Sequence, residues 1–126
     1  MIWLGILLAH LAGDYLIQSH WMATQKTSRW WPAIAHGVTY TLPYALVTQS
    51  PLALAVIAGT HVVIDRYRLA RYVVWAKNQI APKAFRPPLT ATGYPADTPP
   101  WLAVWLLIFA DNTLHLLINT AAVVWL

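Results

Sequence analysis

Apolar residues fill four long stretches of the chain, and polar residues gather in the connections between them. The four stretches cover about 2–21, 32–48, 52–66 and 101–125. A helix needs about 20 mainly apolar residues to cross the hydrocarbon core of a bilayer. The pattern therefore predicts an all-α, polytopic membrane protein, with a bundle of four transmembrane helices in one membrane-embedded domain over residues 1–126.

The connection between the third and fourth stretches has two parts. Residues 66–80 combine basic residues with apolar ones at helical spacing. The apolar residues on one side are Leu69, Tyr72, Val73 and Ile80. This pattern predicts an amphipathic helix at an anionic membrane surface. Residues 81–100 hold six of the chain's nine prolines and are predicted to form an extended loop.

The composition agrees with a lipid environment. Hydrophobic residues make up 59% of the chain and charged residues only 10%, whereas a typical soluble domain has roughly 25% charged residues. The lipid bilayer is therefore the expected partner. There is no cysteine, which excludes disulfides and thiolate metal sites. The first apolar stretch has no basic segment before it and no small-residue cleavage site, so it is expected to be a retained helix.

The net charge of +4 would suggest nucleic acid in a soluble protein, but membrane topology explains it here. All basic residues lie in the first and third connections: Lys26, Arg29, Arg66, Arg68, Arg71, Lys77, Lys83 and Arg86. Basic loops stay in the cytoplasm. The expected topology therefore has cytoplasmic basic loops and both termini on the outside. No nucleic-acid partner is predicted.

Histidine and aspartate carry the candidate chemistry. Three of the four acidic residues, Asp14, Asp65 and Asp111, lie inside apolar stretches. Each has a histidine four residues away, and such pairs share one face of a helix. An aspartate in the middle of a membrane helix costs about 2.5–3.5 kcal/mol. Clustering of these groups would offset that cost, with His36 added from the second stretch. His20, at the end of the first stretch, is expected at the membrane interface.

Imidazoles and carboxylates together are typical ligands of Zn, Mn or Fe. The donor set suits one divalent ion with an outer layer of orienting groups, or two ions. The predicted metal ligands are His10, Asp14, His36, His61, Asp65, Asp111 and His115. A proton or ion relay and a purely structural polar core remain open as alternatives.

The motifs also resemble those of a known family. The runs LLAHLAGDYLIQSHWMATQK, AHGVTYTLP, THVVIDRYRLARYVVWAKN and ADNTLHLLIN resemble, in the same order, small bacterial and phage membrane proteins of the domain of unknown function 3307 family. The family pattern is HxxxDxxxQ, a lone His, HxxxD and DQxxH. Asn112 stands where many members have Gln. The Pro-rich tail of the third motif resembles phage-borne members. The resemblance implies a location in the bacterial inner membrane, with the termini on the periplasmic side, and no particular activity.

The leading hypothesis is a membrane-embedded, metal-dependent hydrolase acting on a phosphoester-type bond of a lipid, lipid-linked or nucleotide substrate. Asp14, Asp65 and Asp111 are the predicted catalytic carboxylates, since the chain has no glutamate. The residues predicted to bind the phosphate-containing substrate are Arg68, Gln18 and Asn112.

Two other classes of function are also consistent with the sequence. The polar groups could form the path of a proton or divalent-cation transporter or channel. Because four spans are few for a transporter, that function would require a homo-oligomer. The third hypothesis is a phage-encoded protein that interacts with host membrane proteins and has a structural polar core.

Overall fold

The structure, a computed structural model, describes residues 1–126 and is all-helical, without a strand. The α-helices are α1 (Ile2–Leu11), α2 (His20–Gln25), α3 (Trp30–Thr41), α4 (Pro51–Tyr67), α5 (Ala70–Asn78) and α6 (Pro100–Trp125). A π-helical segment, Ala12–Ile17, continues α1, and short 3-10 turns occupy Pro43–Leu46 and Lys83–Phe85. The predicted all-α class is confirmed.

One helix, α6, is long and apolar enough to cross a membrane, so the predicted number of four such helices is corrected. Its 26 residues span about 39 Å at 1.5 Å per residue, more than the roughly 30 Å of a bilayer core. The 17 residues of α4 reach only about 26 Å. The apolar helix Ile2–Ile17 is likewise too short. The predicted spans are too long because apolar residues in the turns follow the same pattern as those in the helices.

Local backbone chemistry explains where the first two predicted spans end. The first predicted span ends at Ile17 instead of residue 21. Gln18 has an extended backbone, and Ser19 is the N-cap of a new helix. The Ser19 hydroxyl accepts a hydrogen bond from the Met22 N–H at 3.3 Å, which is an N-cap contact. In the second predicted span, helix α3 ends at Thr41. Pro43 follows shortly after, and its ring interrupts helical hydrogen bonding.

The predicted helix over 66–80 is shorter and begins later. Helix α4 continues to Tyr67, and Arg68 then adopts a φ of +52°. This left-handed conformation is uncommon for a residue with a side chain, and it breaks the helix. Helix α5 follows over Ala70–Asn78.

The chain forms two compact units, Met1–Tyr67 with His115–Leu126, and Arg68–Leu114. Whether they act as one membrane-embedded domain stays a prediction. The apolar core of the first unit joins α1, α3, α4 and the end of α6. It consists of Ile6, Ala9, Tyr40, Tyr44, Ala53, Ile57 and Ala122. Ser50 holds the far end of this unit together by donating to the Leu126 carbonyl at 3.1 Å.

In the second unit, the Pro-rich segment folds back along α5. Val74 is fully buried, and the Asn78 amide donates to the carbonyl of Gly93 at 2.9 Å. Gly93 has a φ of +80°, and any Cβ there would meet the backbone of Arg71 and Trp75. Glycine is therefore required at this close approach.

Candidate metal centre

Four imidazoles and two carboxylates come together inside the first unit. They come from α1, the π-helical segment, α3, α4 and the end of α6: His10, Asp14, His36, His61, Asp65 and His115. The four histidines are at most 1% exposed, and Asp65 is 6% exposed. Two overlapping groups have donor atoms within 4.8 Å of one another: Asp14 with His36 and His61, and His61 with Asp65 and His115. These buried groups could hold a metal ion.

Two carboxylate oxygens lie close to the same pair of imidazole nitrogens. The Nε2 atoms of His36 and His61 are 2.9 Å apart. Asp14 Oδ1 is 3.2 Å from the first and 3.5 Å from the second. Asp65 Oδ2 is 3.4 Å and 3.2 Å from the same two nitrogens. Asp14 and Asp65 nevertheless belong to different donor groups, so each carboxylate forms its own triangle with the two nitrogens.

The triangle formed by Asp14 Oδ1 and the Nε2 atoms of His36 and His61 has a size that suits one metal ion. Ligands about 2.0–2.1 Å from a tetrahedral ion are separated from each other by about 3.3–3.4 Å. The three observed separations are 2.9, 3.2 and 3.5 Å. Imidazole nitrogens and carboxylate oxygens are also common ligands of divalent transition metals.

Hydrogen bonding alone does not account for this crowding. The His36 Nε2 atom has four close polar neighbours. They are His61, Asp14, Asp65 and, at 2.8 Å, the amide nitrogen of Gln18. A neutral imidazole nitrogen offers one proton or one lone pair, and so serves one strong partner. Several donors directed at one point are the arrangement expected around a cation.

The second oxygen of each carboxylate faces a further histidine. Asp14 Oδ2 is 3.5 Å from His10 Nδ1, and Asp65 Oδ1 is 3.3 Å from His115 Nε2. Lys26 adds a cation, with its Nζ 2.7 Å from Asp65 Oδ2. Groups in such outer positions orient the ligands of a metal and tune its properties.

Aromatic packing fixes the ring orientations. The His61 ring stacks on Tyr40 with centroids 3.6 Å apart. The Nδ1 atoms of His36 and His61 are buried without a hydrogen-bond partner, so ring contacts hold these two imidazoles. The Tyr40 hydroxyl lies 2.7 Å from His10 Nδ1 and accepts from the Asn119 amide at 2.6 Å. That amide also donates to Tyr44 at 2.8 Å.

Small residues allow the helices to approach closely at the site. A Cβ on Gly13, inside the π-helical segment, would lie 2.5 Å from the Tyr40 ring and 3.0 Å from its carbonyl oxygen. A Cβ on Gly37 would clash with Val62 and lie 3.1 Å from the Ala58 oxygen. Single-turn π-helical segments occur often at functional sites, and this one carries Asp14.

A family model described as a protein of unknown function, DUF3307, matches residues 2–86. The chain belongs to this family. The match includes Asp14, His36, His61 and Asp65, whereas His115 lies beyond it. The resemblance to the domain of unknown function 3307 family is thus confirmed. No curated protein and no solved structure matches the chain.

The remaining residues that the sequence pattern singled out lie in the second unit of this DUF3307 protein. Asp111 precedes His115 by one turn of α6 but belongs to neither donor group. Arg68 donates to the Ala91 carbonyl at 3.2 Å within its own unit. The ligand role of Asp111 and the substrate-binding roles of Arg68 and Asn112 stay predictions. Gln18, by contrast, is at the centre.

Sequence reasoning missed Lys26 as a member of the site. It lies at the C-terminal end of α2, and Arg66 holds the adjoining turn by donating to the Thr27 carbonyl at 2.6 Å. A lysine in a short basic connection gives the same sequence pattern whether it sets the membrane topology or pairs with a buried aspartate. The hydroxyl of Tyr44 and its bond to Asn119 were also missed, since their residue types suit an ordinary core.

Proposed function

We propose that this DUF3307 protein is a membrane-bound, metal-dependent hydrolase that cleaves a phosphoester-type bond of a lipid, lipid-linked or nucleotide substrate. The observation that supports it is the buried donor set of Asp14, His36 and His61, whose ligand atoms lie 2.9–3.5 Å from one another. Zinc suits that donor set best among Zn, Mn and Fe. One ion per chain is proposed, because the second oxygens of Asp14 and Asp65 already face His10 and His115.

The four donors divide into three ligands and one base. Asp14, His36 and His61 would bind the ion, which would supply Lewis acidity for attack by water. Catalytic zinc sites keep one position open for water, and Asp65, beside His36 and His61, would act as the general base next to that position. It takes a proton from the attacking water and returns it to the leaving oxygen as the phosphorus–oxygen bond breaks. Lys26 and His115 hold this carboxylate in place.

The apolar surface supports a location in the bacterial inner membrane. Helix α1 is apolar on all sides apart from His10, and Trp3, Leu4 and Leu8 are each more than half exposed. A helix that is apolar on every side needs a protein core or lipid around it. We propose that lipid covers these surfaces and that α6 anchors the chain, which gives a lipid-borne substrate access to the centre.

Two variants that remove the same charge test the division of roles. Asp14→Asn should lose most bound zinc, because a ligand is gone. Asp65→Asn should keep about one zinc per chain but lose hydrolysis of a generic phosphodiester by about 100-fold or more, since general bases contribute about 10²–10⁴-fold. Metal content is measured by mass spectrometry of purified protein, with the exposed His20→Ala as control.

The results separate the alternatives. Negligible zinc in the wild type would contradict the metal centre. Loss of zinc from Asp65→Asn as well would show a closed, four-ligand site and contradict the hydrolase. A buried chain of polar contacts from Asp14 through His10 to Tyr40 favours a second candidate, a proton or cation transporter. Ion flux in proteoliposomes without substrate turnover would support that candidate.

A further inference from the structure

The balance of charge around the centre changes when an ion is bound. Asp14 and Asp65 are the acidic residues of the first unit, and the chain's other two, Asp97 and Asp111, belong to the second unit. Two carboxylates neutralise one divalent ion. Lys26, with its Nζ 2.7 Å from Asp65 Oδ2, then leaves one uncompensated positive charge at the site. Without the ion, the same groups have a net negative charge.

That surplus charge lies on the accessible side of the centre. The Lys26 side chain is 20% exposed and Asp14 11%, whereas the side chains of Asp65, His36 and His61 are at most 4% exposed. An uncompensated charge near a buried site is costly and attracts an ion of opposite sign. A ligand that arrives from the Lys26 side would supply that ion.

We infer that Lys26 and the bound metal together form an anion site that exists only in the metal-loaded protein and takes the phosphate group of the substrate. This inference rests on the proposed function and specifies that the substrate binds through a negatively charged phosphate group. The ammonium group, a compact point charge with three donors, binds a non-bridging phosphate oxygen. Arg66 acts as a positioning residue, because its bond to the Thr27 carbonyl holds the turn next to Lys26.

Lys26 also differs from two other basic residues in what it contacts. Arg66 is already placed over the Trp30 ring at 5.3 Å, and Lys77 of the second unit donates to the Tyr94 hydroxyl at 2.8 Å. Lys26 instead pairs with the carboxylate that would accept the proton of the attacking water. An anion held there lies beside the general base.

The test uses full-length protein in maltoside detergent, loaded with Co²⁺, whose visible absorption reports ligands at a tetrahedral site. Inorganic phosphate and a short-chain phosphatidylglycerol are titrated separately, which distinguishes a free phosphate from a lipid headgroup. We expect at least one of them to change the wild-type cobalt spectrum. Calorimetry should detect no such binding to metal-free protein.

Lys26→Met should weaken that binding about 10- to 100-fold, the loss expected for a charge-assisted hydrogen bond, while cobalt still binds. Lys26→Arg should recover part of the affinity. The matched control, Lys77→Met, removes a lysine of the second unit and should bind as the wild type does. Equal affinity in Lys26→Met and wild type would overturn the inference.

The outcomes also separate this inference from the proposed function. Wild-type protein that binds cobalt but responds to neither anion overturns the anion site and leaves the metal centre standing. Anion binding of equal strength without metal also overturns it. Protein that binds no cobalt overturns both.

Discussion

At the scale of single residues, Asp65 illustrates how the chain keeps a carboxylate inside apolar surroundings. Its side chain is 4% exposed and faces the imidazoles of His36, His61 and His115 at 3.2–3.4 Å. Lys26 adds an ammonium group at 2.7 Å. An unpaired buried charge costs several kcal/mol, so each partner contributes to keeping this one ionised and in place. The same dependence applies to Asp14, which faces His10, His36 and His61.

The contact between His10 and Asp14 leads to a prediction at this scale. His10 is not one of the proposed ligands, but its Nδ1 atom is 3.5 Å from Asp14 Oδ2. His10→Ala should weaken zinc binding about 10- to 100-fold, because the ligand carboxylate loses a group that orients it. The measurement is competitive titration with a chelating indicator.

Two further variants complete that experiment. His10→Gln, which keeps a hydrogen-bonding group, should recover part of the affinity. His20→Ala changes an exposed histidine outside the centre and should bind zinc as the wild type does. Unchanged affinity in His10→Ala, with the helical circular dichroism of the wild type, would show that the contact has no influence on the metal.

At the scale of elements, close packing between helices brings the donors together. Helix α3 supplies His36 and approaches α4 through Gly37, while Gly13 allows the π-helical segment to approach Tyr40. In membrane helices, such small residues allow backbones to come close. The π-helical segment changes the direction of side chains relative to α1, and it ends at an extended Gln18 whose amide reaches His36.

Two glycines provide a matched test of this packing. Gly37→Ala should destabilise the protein by about 1–3 kcal/mol, since the new Cβ would clash with Val62 and press on the Ala58 carbonyl. Gly59→Ala, in α4, meets nothing within 4 Å and should instead stabilise by up to about 1 kcal/mol through helix propensity. Thermal unfolding in detergent measures both, and similar effects of the two substitutions would contradict the proposed role of Gly37.

At the scale of the whole molecule, apolar surface dominates. Side chains such as Trp3, Leu16, Phe109 and Leu117 are more than 60% exposed. Together with 59% hydrophobic composition and one helix long enough to span, this surface favours a membrane location. The apolar sides of the shorter helices would then contact lipid without each crossing the bilayer.

A prediction about anchoring follows from the length of α6. The wild type should stay in the membrane fraction after alkaline carbonate washing. The double variant Phe109→Arg with Leu117→Arg should be largely released, because two arginines in the apolar part of a span cost about 6 kcal/mol.

The control for anchoring carries arginines at exposed apolar positions outside α6. Ile80→Arg with Phe85→Arg adds the same charge, and the chain should remain in the membrane fraction. Release of the wild type by carbonate would contradict the anchoring role of α6.

The sequence by itself determined the all-helical class, the apolar surface and the histidine–aspartate pairs. These features are local: each depends on residues within one or two helical turns, as with His61 and Asp65 four positions apart on α4. The family could also be predicted, because its motifs are short runs of sequence. Helix lengths were predicted less well. The predicted spans continued past Gln18 and Pro43, near which the helical segments end.

Only the tertiary structure decided which donors meet. It placed both Asp14 and Asp65 within 3.5 Å of the facing nitrogens of His36 and His61, and added Lys26 from a connection whose charges had suggested topology alone. Asp111 belongs to the second unit, so its predicted role as a ligand stays a prediction although its spacing to His115 equals that of the other pairs. The physical reason is that spacing along a helix selects a face, whereas distances between side chains of different helices depend on how closely the backbones pack.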